Sequence, residues 1–539
     1  MDSLMVAMAL LHLVASPYTK VEESFNLQAA HDIMVYGTPP DPSHSYDHFV
    51  FAGAVPRTFV GAALLAALAK PFVWAAGFHH AQFVVRALLA AANAASLVLL
   101  RRTLLHAAGA PAATWWALLM LGQFHVWYYL SRTLPNMFAF GLTTTAFACL
   151  LSSRRAAPQA LGLLALAAAV FRAELAILLA ATGLHLLATR TTSLPVMARV
   201  VAMATALGLA LSLPLDSYFW QTWLWPELWA FHFNALLGSS SLWGTEPWHY
   251  YLTSALPRLL LNPLALPLAC LAVGHVATRP KALSLLVPSA LYLALYSLQP
   301  HKETRFVLYL VPPLTCLAAM GAALLSTRRH KSLLYRLATL LLAASLVSCF
   351  AASLAMLALS SLNYPGGDAL AQLRALARHQ SPASGPPLRV HADVLTCMTG
   401  LTLFGQNPDG LPLALYPAHG LDALSHVQQP LLLFDRTEDA AQLAQPDFWL
   451  AFDYALAENP RVPLGAWDIV GVVAGFDGMQ VLGPGTPDHH HQHRLLGRGA
   501  HVAALQHALR PWTGGWWLGP RMAPRIYILK RRPGPIAAF

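Results

Sequence analysis

Charge is what this sequence has least of. Asp, Glu, Lys and Arg make up 11% of its 539 residues, against about 25% in ordinary soluble domains. With 56% apolar residues and a mean hydropathy of +0.50, the composition excludes a disordered chain and argues against a single soluble globule. Cysteine is sparse, with five residues and no C-x-x-C pair, so zinc, iron–sulfur and thioredoxin-type chemistry have no support. Four of the five (Cys149, Cys270, Cys316 and Cys349) fall in apolar runs and read as buried thiols. Also missing are G-x-x-x-x-G-K-[ST], G-x-G-x-x-G after a strand, G-x-S-x-G, H-E-x-x-H and D-x-D. Nucleotide binding, and the metal that nucleotide-sugar enzymes hold on D-x-D, therefore have no support. No internal repeat is visible, although many transporters are built from paired repeats with interrupted helices.

What is present is a succession of apolar runs of about the length of a bilayer span. Residues 3–16 read as a retained signal anchor. Further runs lie near 57–76, 82–100, 113–130, 135–152, 159–171, 174–189, 196–214, 254–275, 282–298, 304–325 and 333–358. The net charge of +10 fits loops that fix one orientation in the bilayer better than it fits nucleic acid. Basic clusters occur at Arg101-Arg102, Arg154-Arg155, Arg279 with Lys281, and Arg328-Arg329-His330-Lys331. All four are cytosolic if 57–76 is a re-entrant hairpin broken at Lys70-Pro71. That reading gives eleven crossings, and counting 57–76 as a full crossing gives twelve.

Residues 1–364 hold only eleven of the 24 acids: Asp2, Glu22, Glu23, Asp32, Asp41, Asp47, Glu174, Asp216, Glu227, Glu246 and Glu303. With eleven crossings, all except Asp2 lie at the non-cytosolic face. Topology rules do not demand this, because acids contribute little to orientation. It reads as a polar reaction chamber, or as chance in a small sample. The composition changes after the N-Y-P-G-G turn at 363–367. The expected organisation is an all-α polytopic module over 1–362, with a first lumenal loop at 17–56 and an aromatic loop at 216–253. A small mixed α/β domain over 363–539 follows, with strand-like runs at 388–395 and 525–530. The D-H-H-H-Q-H run at 488–493 reads as a solvated loop before it reads as a metal site.

Five polar segments could carry chemistry. Glu22 and Glu23 follow directly on a span. Mutual repulsion and partial burial would suit one of them as a general base, and a solvated helix start would equally use both against the dipole. The loop continues through Asp47, His48 and Arg57. Arg132 and Asn136 sit in the short connection S-R-T-L-P-N. Arg172 and Glu174 interrupt an apolar stretch; two residues apart they would not pair on a helix, and a turn at the interface is the cheaper placement. In Q-P-H-K-E-T-R-F, His301, Lys302 and Arg305 gather around Glu303. Such a cluster suits a phosphate, or it is a polar loop with a self-paired acid. The 216–253 loop, dense in Trp, Tyr and Phe, belongs to an interfacial belt or borders a sugar or lipid site.

Taken in order, S-P-Y-T-K-V-E-E-S-F-N-L-Q-A-A-H-D-I, D-H-F-V-F-A-G-A-V-P-R-T, S-R-T-L-P-N, F-R-A-E, D-S-Y-F-W, S-S-L-W-G-T-E-P and L-Q-P-H-K-E-T-R-F resemble the endoplasmic-reticulum mannosyltransferases of glycosyltransferase family 22. Two departures stand out: Ala52 where relatives usually have Pro, and Gln299 where they have Leu. Neither changes a charged group. The resemblance implies a GT-C fold, a polytopic helical bundle with its site at the lumenal face of the membrane. It implies dolichyl-phosphate mannose as donor, dolichol-diphosphate-linked oligosaccharide as acceptor, α-1,6 transfer with inversion, the lipid bilayer as environment, and no metal or other cofactor. It assigns the base to Glu22, with Glu23 in reserve, and the donor phosphate to His301, Lys302 and Arg305, then Arg57, Arg132 and Arg172. Sugar or acceptor contacts fall to Asp47, His48, Asp216, Trp243 and Glu303. The alternatives are a GPI-anchor mannosyltransferase, which shares H-K-E-x-R-F, and a lipid or oligosaccharide transporter.

Overall fold

The computed structural model describes residues 1–380, 386–415, 430–486 and 493–532. The histidine-rich run lies outside the described residues but for His493. The chain forms two compact units. The first comprises Met1–Ala15, Pro39–Lys70 and Phe83–Leu357; the second comprises Ser16–Thr38, Pro71–Gln82 and Ala358–Phe539.

Each apolar run becomes helix, and two further helices form in the loops expected at 17–56 and 216–253. In order these are α1 (Asp2–Ala15), α2 (Val21–Tyr36), α3 (Val60–Ala76), α4 (Ala81–Ala108), α5 (Ala110–Leu121), α6 (Phe124–Leu130), α7 (Pro135–Ser152), α8 (Ala157–Val170), α9 (Leu175–Ala188) and α10 (Leu194–Trp220). Then come α11 (Pro226–Phe231), α12 (Leu256–Leu260), α13 (Ala265–Gly274), α14 (Arg279–Tyr296), α15 (Val311–Ser326) and α16 (Leu333–Ser360). Among the described residues, four helical stretches are long and apolar enough to cross a bilayer unaided: 78–108, 194–220, 304–326 and 333–360. Two more pass as bent pairs, α6 with α7 (113°) and the segment 251–260 with α13 (99°). The remaining expected crossings include helices of 10–17 residues, shorter than the roughly 20 residues a perpendicular span needs. Residues 60–76 are one continuous helix with Pro71 inside, so the expected break at Lys70-Pro71 is absent. Apolar helices tolerate such a proline where neighbouring groups satisfy the freed carbonyl.

Burial sorts the helices. α15 is central, its apolar window 83% buried, whereas α10 is peripheral at 11% and turns Leu194, Met203, Leu207 and Leu211 outward. The composition of α15 explains its place. Ala318, Ala319, Gly321 and Ala322 let backbones approach closely, and a Cβ on Gly321 would lie 2.0 Å from the Leu268 carbonyl oxygen of α13. Cys316 and Cys349 are buried, but Cys270 is exposed. Its helix turns that side away from protein, so burial of this thiol was overstated by composition.

Charged groups at one end of the first unit meet across the sequence. Asp2 pairs with Arg101 Nε at 2.6 Å and Arg102 Nε at 2.9 Å. Lys281 donates to the Ala107 carbonyl, and an Arg328 amino group lies 3.0 Å from His275 Nε2. Three of the four basic clusters thus share one end, with the one acid expected there.

The second unit is built on a six-stranded mixed sheet of order β2-β1-β3-β6-β4-β5: β1 Leu388–Ala392, β2 Leu432–Asp435, β3 Tyr454–Ala457, β4 Trp467–Leu482, β5 Leu495–Leu496 and β6 Trp517–Arg531. Helix α17 (Pro365–Gln380) places Ala369, Leu373 and Ala377 against Val390, Val473, Ile526 and Ile528. The strand-like run at 525–530 falls within β6; that at 388–395 forms β1 only as far as Ala392, and Val394 opens a short helix.

Candidate active site

Three acids and three arginines of the first unit converge where α8 meets α9: Glu174, Glu227 and Glu303 with Arg57, Arg172 and Arg305. Phe171–Glu174 is a turn, as the sequence suggested, but the two charges do pair: Arg172 Nε lies 2.7 Å from Glu174 Oε1. The rule that residues two apart face away holds only on a helix, and the turn brings them round. Burial opposes the Arg172 charge, yet Glu174 and its other neighbours hold its pKa above the ordinary guanidinium range. Asn136, from the S-R-T-L-P-N connection, donates to Tyr309 Oη at 2.8 Å and approaches Glu174 at 3.5 Å.

Glu227 comes in from α11, whose Pro226 starts the helix. Its Oε2 accepts the Ala173 backbone N–H at 2.6 Å. Burial pushes its pKa up to about 7, with Arg172 pulling the other way and Glu174 adding to the rise. Glu303 chelates Arg305, with nitrogen–oxygen distances of 2.7 Å to both oxygens, and lies 3.1 Å from His301 Nε2. Of the two readings of this loop, the self-paired acid is the one observed. Lys302 is buried and donates to the carbonyls of Glu246, at 2.9 Å, and Gln299. It ties this loop to the aromatic loop, two of its three donors already used.

Arg57 differs from the other cations. Among the described residues its guanidinium makes no hydrogen bond or ion pair. Burial and the nearby charges of Arg172 and Arg305 lower its pKa to about 10, against the opposing pull of Glu227 and Glu303. It stays protonated at neutral pH, as a guanidinium short of counter-charge. Its backbone is clamped from α10: Trp220 Nε1 donates to the Arg57 carbonyl at 3.0 Å. Asp216, fully buried, accepts from the Phe59 N–H at 2.6 Å, from Thr58 Oγ1 at 2.9 and 3.1 Å, and from Ser212 Oγ. Three donors thus engage that carboxylate, the single Thr58 hydroxyl facing both of its oxygens. The expected sugar contact at Asp216 is corrected: it staples the chain next to Arg57.

His48 is likewise inward. It is buried, its Nε2 is 2.9 Å from the Phe219 carbonyl oxygen, and Phe49, Phe59 and Trp220 surround it. Burial lowers its pKa, and it serves the same clamp. Asp47 is partly buried in the short turn Asp47–Phe49. Arg132 is buried, with Cζ 4.1 Å from the Tyr128 ring centroid. Trp243 is exposed on the aromatic loop.

The acidic pair sits in the second unit, on the first turn of α2. Glu22 is exposed. Glu23 is buried, and its Oε1 accepts the Lys20 backbone N–H at 3.1 Å, the acid half of a capping box. The helix is stitched to short helices of the C-terminal domain, α18 (Val394–Met398) and α19 (Leu403–Gln406), and to the chain around them. The Leu403 N–H donates to Gln28 Oε1 at 2.9 Å, Asn407 Nδ2 lies 3.4 Å from His31 Nε2, and the Ala414 N–H donates to Tyr36 Oη at 3.2 Å. His31 also pairs with Asp32 at 2.9 Å and meets Phe404 edge-on. The Tyr18 ring lies so near Gly367 that a Cβ there would come within 2.3 Å. Among the described residues no three His, Cys, Asp or Glu side chains are grouped to hold a metal ion.

Residues 3–394 match the family model described as the Alg9-like mannosyltransferase family. The chain belongs to this family. A Saccharomyces cerevisiae relative named Dol-P-Man:Man(7)GlcNAc(2)-PP-Dol alpha-1,6-mannosyltransferase is 32% identical over 89% of this chain and 88% of its own length. An Arabidopsis thaliana relative of the same name is 34% identical over 75% and 80%. GPI alpha-1,2-mannosyltransferase 3 of Danio rerio aligns over 39% of each chain at 28% identity. The crystal structure of ArnT from Cupriavidus metallidurans bound to undecaprenyl phosphate superposes with a TM-score of 0.52 at 13% identity, covering 84% of this chain and 91% of that one. The apo form gives 0.51 over 98% and 97%. The fold is therefore GT-C, and this Alg9-like mannosyltransferase is a multi-pass membrane glycosyltransferase with a small C-terminal mixed-sheet domain.

Sequence reasoning gave Glu227 no role. Its signal was Trp225-Pro226-Glu227, an acid at a proline-started helix in a stretch nearly free of acids. The stitching of α2 to residues 403–414 had no sequence signal, because nearly 400 residues separate the partners.

Proposed function

We propose that this Alg9-like mannosyltransferase transfers mannose from dolichyl-phosphate mannose, in α-1,6 linkage, to the seven-mannose dolichol-diphosphate oligosaccharide. The product is the eight-mannose precursor for protein N-glycosylation, formed at the lumenal face of the endoplasmic-reticulum membrane. The observation that carries this reading is the run of four relatives, 32–34% identical over 75–89% of the chain, whose names state that reaction. Four GPI mannosyltransferases align over only 23–42% of the chain. The polyprenyl phosphate named with ArnT belongs to the same chemical class as the donor.

The reaction is a single displacement that inverts the β-linked donor to an α-linked product. A base takes the proton from the acceptor's 6-hydroxyl as oxygen attacks the anomeric carbon. The phosphate monoester leaves as a stable anion and needs positive charge more than a strong acid. Arg57, lacking a counter-ion among the described residues, is the leading phosphate ligand. Arg172 and Arg305 stand by it, each engaged by a carboxylate that can yield. His301 and Arg132 remain in the outer set, and Lys302 shapes the loop. These guanidiniums supply the charge a metal supplies in nucleotide-sugar enzymes, so the reaction proceeds without metal. Glu22 is the base: it is exposed, whereas Glu23 spends one oxygen on its own helix. Asp47, Glu303 and Trp243 border the sugars.

The test is a transfer assay with purified protein, labelled dolichyl-phosphate mannose and two acceptors, the seven-mannose lipid-linked oligosaccharide and a mannosylated GPI precursor. Only the first should be extended, by one residue released with α-1,6-mannosidase. Glu22→Gln should lower single-turnover transfer by about 10²–10⁴, the usual worth of a general base. Extension of the GPI precursor, or near-normal transfer by Glu22→Gln alongside a dead Glu23→Gln, would respectively change the acceptor and move the base.

A further inference from the structure

Three guanidiniums and three carboxylates share the cluster at the α8–α9 turn: Arg57, Arg172 and Arg305 with Glu174, Glu227 and Glu303. Fully ionised, this set is neutral. A phosphodiester entering it adds one negative charge in a poorly solvated place, where like charges cannot all persist. One carboxylate must move away or take a proton.

The three carboxylates are not equivalent. Glu303 chelates Arg305 and contacts His301, and Glu174 pairs with Arg172. Glu227 has no ion pair among the described residues. One oxygen accepts the Ala173 N–H, and the other makes no hydrogen bond there. The N–H contact fixes the group in place, so protonation is easier than withdrawal. The charged or titratable groups that face it are Arg172, Glu174, Arg57 and Tyr309. Its pKa of about 7 means that a small added repulsion suffices.

We propose that Glu227 takes up a proton from solvent when the donor phosphate binds, and as the neutral acid donates a hydrogen bond to a phosphate oxygen. The acid then stabilises the charge that grows on phosphate as the sugar leaves. Balance is simple: one proton moves from bulk water to a carboxylate oxygen, and no covalent bond changes. This rests on the donor-phosphate reading above.

Calorimetric titration of the full-length enzyme with dolichyl-phosphate mannose tests it, in two buffers of different ionisation enthalpy. Wild type should take up about 0.7 proton per donor at pH 7.5 and little at pH 6, and donor affinity should fall about tenfold per pH unit above pH 7.5. In Glu227→Gln the uptake should vanish and the affinity should lose its pH dependence. Uptake that persists in this variant, or that disappears instead in His301→Gln, overturns the proposal. A flat wild-type affinity profile from pH 6 to 9 overturns it too, even if Glu227→Gln does not fold. Arg57→Gln separates the underlying reading: affinity lowered tenfold or more supports phosphate binding at this cluster, and unchanged affinity removes the phosphate and the proposal together.

Discussion

Asp216 offers the clearest perturbation, because each atom of its carboxylate has an assigned partner. Three donors converge on it: the Phe59 N–H, the Thr58 hydroxyl and the Ser212 hydroxyl. They differ in adaptability. Hydroxyls can rotate to accept, and a backbone N–H cannot. In Asp216→Asn the amide oxygen can keep Phe59 while the amide nitrogen donates to a rotated hydroxyl. The loss is then mainly charge assistance, about 1–2 kcal/mol. In Asp216→Ala the Phe59 N–H is stranded beside a fully buried ring, and the hydroxyls and a small cavity add to the cost. Unsatisfied buried donors alone cost about 1–3 kcal/mol each, so the alanine variant should lose about 3–5 kcal/mol. Both variants loosen the chain next to Arg57, so donor KM should rise in the same order, Asn before Ala, with acceptor KM little changed. Thermal unfolding in detergent, followed by tryptophan fluorescence, measures the first effect and donor titration the second. An alanine variant as stable as wild type, or an asparagine variant worse than alanine, would falsify the staple. A variant that loses stability but keeps donor KM would break the link to Arg57.

Three further outcomes follow from other parts of the molecule. Glu22→Gln should leave stability within about 0.5 kcal/mol, as exposed sites do, while Glu23→Gln should cost about 0.3–1 kcal/mol by removing a charge near the helix N-terminus; melting curves that reverse this order would contradict the capping geometry. Gly321→Ala drives a methyl into the Leu268 carbonyl and should cost at least the 1–3 kcal/mol typical of overpacking, seen as a lower midpoint of unfolding in detergent. An N-glycosylation acceptor inserted near residue 486 should be glycosylated and one at 330 should not; the opposite pattern would invert the proposed orientation.

What the sequence determined by itself is what local pattern controls. Low charge and long apolar runs set the membrane class and the place of each helix, because burial of apolar side chains in lipid needs no particular partner. The N-Y-P-G-G segment at 363–367 marked the change to a mixed-sheet domain, although its Pro365–Gly367 open helix α17 and the turn lies just before them; β1 and β6 were legible as short runs of branched and aromatic residues. The ordered polar segments were enough to place the chain in its family. Only the tertiary structure decided who pairs with whom. Arg172 meets Glu174 because the chain turns there; Asp216 turns inward to residues 58 and 59; Lys302 spends itself on carbonyls. Helix α2 joins the compact unit of a domain that begins more than 300 residues later. Arg57 keeps a charge without an ion pair while Glu174 and Glu303 pair with other arginines and Glu227 is held by the Ala173 N–H. A hydrogen bond or ion pair depends on distances of a few tenths of an ångström between residues far apart in sequence, and composition and periodicity carry no information at that range.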